Sequence, residues 1–200
     1  MIRFQVNNKS PRVDPSAVIA PTATLVGDVK VGPEAHISFG AVIIGESAPV
    51  SIGAGCVIRE NVVIRSAPRH PVQIGKDVLI GAQAAVYGCK VGDGAFLATG
   101  VAIFHGSTIG EGAEVRIHGV VHVNTSVPAR AVVPIGWVAV GDPAEIRSPD
   151  DHDGIWEVQQ TLDFPGTVYG IRRRTDGTLD MSAVTRQAVR RDGPKWIRLD

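Results

Sequence analysis

From Val13 to Val133 a small or branched apolar residue returns at almost every sixth position, and that spacing sharply limits what the chain can fold into. The series begins Val13, Ile19, Leu25, Val31, Ile37, Ile43, resumes at Ile52, Ile58, Ile64, and again at Ile74, Ile80, Val86. It closes with Val91, Leu97, Ile103, Ile109, Val115, Val121, Val127 and Val133. Glycine follows many of these markers, as at Gly32, Gly53, Gly75, Gly81, Gly92 and Gly110, and a second small residue stands four places on, as at Ala35, Cys56, Val78, Ala84, Ala95 and Ala113. A helix needs an apolar return every three to four residues and a simple strand every two. A period of six fits neither. It fits a short strand, a bend, and another short strand turned by about a third of a circle, so that three units close a triangular coil. One coil cannot bury its interior, so coils must stack; the chain predicts an all-β solenoid of about six to seven coils.

The period slips in three places. Three extra residues lie within Ile44–Pro49, four within Ser66–Pro71, and one residue is missing at Tyr87–Lys90. The two insertions are expected to bulge from the prism. Because loops on a rigid scaffold concentrate binding residues, the slips predict one functional region between residues 44 and 90.

Equal numbers of basic and acidic residues, 20 of each, give a formal net charge of zero and argue against a nucleic-acid partner. The two cysteines, Cys56 and Cys89, imply neither a disulfide framework nor a zinc-type pair, and Cys56 falls on an inward position. The first residues lack the apolar segment of a secretory signal, and no run is long enough to span a membrane. The expectation is a cytoplasmic protein without a membrane partner.

Residues 1–12 read as an extended lead-in, 13–144 as the prism, and 145–200 as a C-terminal extension packed on the prism or on a neighbouring subunit. Trp137 and Val138 are expected to cap the open end, since terminal coils otherwise expose their interior. In the extension, Ile155–Gln160 reads as a short helix or strand, Phe164-Pro165-Gly166 as an interruption, and Tyr169–Ile171 as an extended piece. Met181–Arg191 reads as a helix opened by Asp180 or Ser182 and stopped before Gly193-Pro194. Trp156, Tyr169 and Trp196 are the expected anchors.

The repeat resembles the hexapeptide-repeat superfamily with its left-handed parallel β-helix, and more closely its gamma-class carbonic anhydrase branch. Gly40–Glu46 (GAVIIGE) resembles that family's GAVIRGD motif, Asn61–Arg65 the segment ending in a metal-binding histidine, Ile80–Cys89 the IGHGAVLHGC motif, and Gly141–Ala144 the closing GNPA turn. The resemblance implies a homotrimer with sites between subunits, each holding zinc or a related ion through three histidines. Carried onto this chain, those ligand positions hold Arg65, Ala82 and Tyr87; the motif's arginine becomes Ile44, its aspartate Glu46, and the glutamine before the first ligand Arg59. Zinc hydration of carbon dioxide needs an open coordination site and an activated water. Alanine offers no ligand, and arginine brings a fixed positive charge. The expectation is therefore no cofactor and no carbonic anhydrase activity at this site.

In the vacated groove, Arg65 is expected to stack beside Tyr87, with Phe104 and His122 continuing the column. Arg59 and Arg65 are candidates for gripping a small anionic, carboxylate-bearing substrate in an intersubunit cleft. His70, Tyr87 and Glu46 are candidate catalytic groups, His70 because imidazole titrates near neutrality. The plainer expectation is that Arg65 pairs with Glu46 or Glu60 across a subunit interface and fixes the trimer, as in a non-catalytic assembly protein. A zinc site relocated to His105, His118 and His122 is a further alternative. Another is a CoA-dependent acyltransferase using His70 or His105 as base.

Overall fold

A computed structural model describes residues 1–191 and 196–199. The chain is a left-handed parallel β-helix with three flat faces. Each marker side chain points inward, and Leu25, Ile43, Ile58, Ile64, Ile80, Leu97, Ile103 and Ile109 form a fully buried column. The residue before each marker points out, which is the strand alternation that keeps the core apolar. Successive coils pair in parallel, for example Val86 with Ile64 and with Ile103.

Each face has its own outer chemistry. One displays Arg12, Lys30, Ser51, Gln73, Lys90, Thr108 and Ser126 in register and is called the polar face. A second displays Val18, His36, Val57, Leu79, Phe96, Glu114 and Val132, the apolar face. The third carries Ile44, Arg65 and Tyr87 in register and is called the cleft face.

The glycines after the markers serve close approach between coils. A Cβ on Gly53 would fall 2.2 Å from the carbonyl oxygen of Gly75. The left-handed corner positions are held by other residues, including Asn61, Asp77, Gln83 and His118 among non-glycines.

All three slips fall at the corner between the cleft and polar faces. The first insertion bulges at that corner: within the strand Val42–Ile52, Gly45 pairs with Gly27 and Val50 with Val29, so residues 46–49 stand opposite Asp28 alone. The second forms a tight hairpin in which Ala67 and His70 exchange two backbone hydrogen bonds of 2.9 Å. The deletion is absorbed by Gly88 at φ 47° with Cys89 buried beneath it.

The lead-in is itself a rung, Ile2–Gln5, paired in parallel with the strand Thr24–Val31. At the far end Trp137 packs against the core, and Val138–Val140 turns back against Glu145–Arg147. The extension then forms α1 (His152–Gln159), a 3-10 turn (Gln160–Leu162), α2 (Phe164–Tyr169) and α3 (Met181–Arg191). Phe164-Pro165-Gly166 therefore opens a helix instead of breaking one. Pro165 sits in the first turn, where its missing N–H costs nothing, and Asp163 caps the Gly166 N–H at 3.1 Å. Tyr169 ends that helix instead of forming an extended piece. Asp180 opens α3, accepting from the Ala183 N–H at 3.0 Å; the stop expected at Gly193-Pro194 lies outside the described residues. Ile197–Leu199 returns to pair antiparallel with Ile2–Gln5. No described helix is long and apolar enough to cross a membrane.

Candidate functional site

Arg65 and Tyr87 are direct neighbours on adjacent rungs of the cleft face. The ring of Phe104 stands 6.2 Å from Tyr87, and His122 stands 6.4 Å from Phe104, so the column runs Arg65, Tyr87, Phe104, His122. Parallel pairing in register forces side chains of equivalent positions to stack.

The extension lies over this column. Phe164 at the start of α2 meets Phe104 at 5.6 Å edge-on and His122 at 5.8 Å, and Tyr169 at its end meets Phe164 at 6.3 Å. Asn124 holds the same segment through its side-chain amide, 3.1 Å from the Thr167 hydroxyl. Between face and extension lies a cavity of about 360 Å³. Tyr87, Phe104, Phe164 and Tyr169 give it an aromatic lining, and Arg65, Ser47, Ser66 and His105 supply polar groups. That is the size and composition of a small-molecule site. The extension of the same chain folds back over the column and supplies Phe164, Val168 and Tyr169 to the lining.

Arg65 donates from Nη2 to Glu46 Oε2 at 3.1 Å, and the other carboxylate oxygen accepts from the Trp196 indole N–H at 2.5 Å. The Glu46 side chain is only 5% exposed, so both of its oxygens are committed to orienting neighbours. The pair forms within one chain, and Glu60 pairs instead with Arg59 at 3.3 Å. Arg59 stands exposed beyond the buried Ile58 of the apolar face and does not line the cavity with Arg65.

His70 and His105 meet at the slipped corner with ring centroids 6.0 Å apart, and His105 stacks on Tyr87 at 5.8 Å with planes 10° apart. His105 lines the aromatic cavity; His70 lies behind it, lining two separate concavities on the outer side of the corner. Gly88 makes this arrangement possible, because a Cβ there would fall 2.7 Å from the His70 Cβ and 3.0 Å from the His105 ring. The cavity's histidine is thus His105, which the sequence offered only as an acyltransferase base or a relocated ligand.

His122 is buried, with Nε2 2.8 Å from the Gln159 side-chain nitrogen at the end of α1. Burial pushes its pKa below the ordinary value, partly opposed by the Val123 backbone, although Nδ1 makes no hydrogen bond of good geometry. His118 sits exposed at another corner, in the left-handed conformation. Among the described residues no three His, Cys, Asp or Glu side chains converge to hold a metal. Cys89 is fully buried, which drives its thiol up to about 12 and leaves it inert at neutral pH. The aromatic roof from Phe164 and Tyr169 had no signal in the repeat; an Asp-Phe-Pro-Gly run with a proline in helix-opening position was the available hint.

Three stacked faces of hexads, with small residues inside and left-handed corners, define a hexapeptide-repeat protein, and residues 71–105 match the family model described as the hexapeptide repeat of succinyl-transferase. Within that class the chain is similar to gamma carbonic anhydrases. It is 31% identical to the mitochondrial gamma carbonic anhydrase 2 of Arabidopsis thaliana, over 80% of this chain and 58% of the relative. To gamma carbonic anhydrase 1 of the same plant it is 35% identical, over 70% of this chain and 51% of that protein. A carbonic anhydrase of Geobacillus kaustophilus is 34% identical over 54% of this chain and 60% of its own length. The chain spans a little over half the length of these curated relatives. Among solved structures, an acetyltransferase candidate from Bacillus cereus superposes with a TM-score of 0.58 at 23% identity, covering 95% of this chain and 96% of that one. A hexapeptide transferase family protein from Anaplasma phagocytophilum gives 0.53 at 22% identity, over 94% of this chain and 96% of the other. These two likenesses concern the fold alone.

Proposed function

We propose that this chain is a diverged gamma carbonic anhydrase-like protein that binds a small carboxylate with a flat apolar body, and does not hydrate carbon dioxide. The observation that carries this reading is the Arg65–Glu46 pair, 3.1 Å apart at the edge of the aromatic cavity. The resemblance implies zinc at residues 65, 82 and 87. The groups present there do not fit it: a guanidinium stays protonated and repels a dication, a methyl donates nothing, and a lone phenol is too few ligands. Paired with Glu46, the guanidinium keeps its fork in one orientation, which suits planar recognition of a carboxylate. The rings of Tyr87, Phe104 and Phe164 suit the apolar body. Tyr87 and His105 would stand beside the bound molecule as the proton-carrying groups. His70 and Glu46 would position, one behind His105 and the other behind Arg65.

The test combines metal analysis of protein purified without chelator, stopped-flow carbon dioxide hydration, and calorimetry with benzoate. The reading expects zinc far below one per chain, no hydration above background, and benzoate binding that weakens about tenfold or more in Arg65→Gln. Stoichiometric zinc with rapid hydration would overturn it. Acetyl-CoA binding without benzoate binding would move the chain to the acyltransferase reading.

We infer further that the chain forms a homotrimer through its apolar face. Leu79 and Phe96 are neighbours on adjacent rungs there and remain 39% and 40% exposed, with Val18 and Val132 in the same column. The polar face carries no comparable apolar column. Exposed, aligned apolar side chains on a flat sheet favour burial against another copy.

A further inference from the structure

The two parts of the chain that break the hexad period meet outside the aromatic cavity. The hairpin of the second insertion brings up Arg69, in the left-handed conformation at φ 66°, and His70. The segment around α2 brings Thr167 and, just past its Gly170 cap, Arg172. Together they line a concavity of about 390 Å³. Arg69 and His70 also border an adjoining hollow of about 140 Å³, whose further wall includes Lys90, Ser107 and Thr108. Arg69, Lys90 and Arg172 make no ion pair among the described residues. The one carboxylate in the wall, Asp163, is engaged as the cap of α2.

We propose that this concavity binds a phosphoryl group, the dianionic end of a phosphorylated small molecule. Arg69 and Arg172 face one carboxylate in the concavity, and Lys90 stands in the adjoining hollow, in a chain whose formal net charge is zero, so the positive potential is local. A concave wall concentrates such a field. Two guanidiniums offer forked donors matched to phosphate oxygens, and the Thr108 hydroxyl adds a neutral donor, while those of Thr167 and Ser107 already donate to the carbonyls of Leu162 and Phe104. Over the concavity and its adjoining hollow three cations stand against one carboxylate, a balance that a dianion neutralises and a monoanion half neutralises. The site is separate from the aromatic cavity, with His70 lining only this side and His105 between them. It stands whether or not the cavity takes a carboxylate, because benzoate probes that site and phosphate probes this one.

The experiment is calorimetry on the full chain with inorganic pyrophosphate and, separately, ADP. Pyrophosphate is expected to bind at low salt and to weaken as salt rises. Arg69→Gln and Arg172→Gln should each weaken it about tenfold or more, and Arg172→Lys, which keeps the charge and loses the fork, by less. Arg12→Gln on the polar face should leave binding unchanged, and unfolding midpoints should show each variant folded. Tighter binding of ADP would assign the site to a nucleotide, and equal binding to an isolated phosphoryl group. No heat with either probe overturns the proposal, as does equal loss in Arg12→Gln or full retention in the folded double variant Arg69→Gln/Arg172→Gln.

Discussion

Arg65 and Glu46 lie nineteen residues apart in sequence and 3.1 Å apart in space, with the carboxylate almost fully enclosed. Removing the cation strands a buried anion, which costs more than the pair contributes. Arg65→Met should lower stability by about 2 kcal/mol, while the double variant Arg65→Met/Glu46→Gln should recover part of that loss. Urea unfolding of the four species in a double-mutant cycle gives the coupling directly.

Phe164 fixes α2 over the column through its contacts with Phe104, His122 and Tyr169. Phe164→Ala should destabilise that docking by about 3 kcal/mol, and the solenoid should stay intact because its coils bury their own core. Hydrogen exchange should speed up across residues 152–169 and remain slow at the inward markers.

Burial holds the His122 pKa below its ordinary value near 6.5. The unfolded chain therefore binds the proton first as pH falls. The group contributes no pH dependence above about 6.5, and its effect is a loss of stability that grows as pH drops from there toward the lowered folded value. His122→Phe should flatten the unfolding midpoint against pH in that window relative to the parent. Carboxylates titrate lower, so the difference between the two proteins isolates the histidine.

Gly88 leaves room for His70 over His105. Gly88→Ala combines a strained left-handed backbone with a clash against His70, and should cost about 1–3 kcal/mol. A matched Gly94→Ala carries a positive φ with open space around it and should cost less. Thermal unfolding of the two variants separates crowding from backbone strain.

Phe96→Glu places a charge in the centre of the apolar face beside Leu79. If that face joins three copies, the variant should elute as a monomer in size exclusion with light scattering. An unchanged mass would move the interface elsewhere.

The solenoid was legible because each rung repeats one local requirement: a branched residue inward, a small residue at the next corner, a backbone free to turn. Those requirements act over six residues, so Val13 to Val133 announce them without reference to anything distant. The Arg65, Tyr87, Phe104 and His122 column followed from the same register arithmetic. What the linear chain could not decide was which wall would close over that column. Phe164 meets Phe104 across 60 positions with no shared period, and Glu46 reaches Arg65 from the bulge that the first insertion makes at its corner. Local spacing determined the scaffold by itself; burial of aromatic surface between segments remote in sequence decided the site.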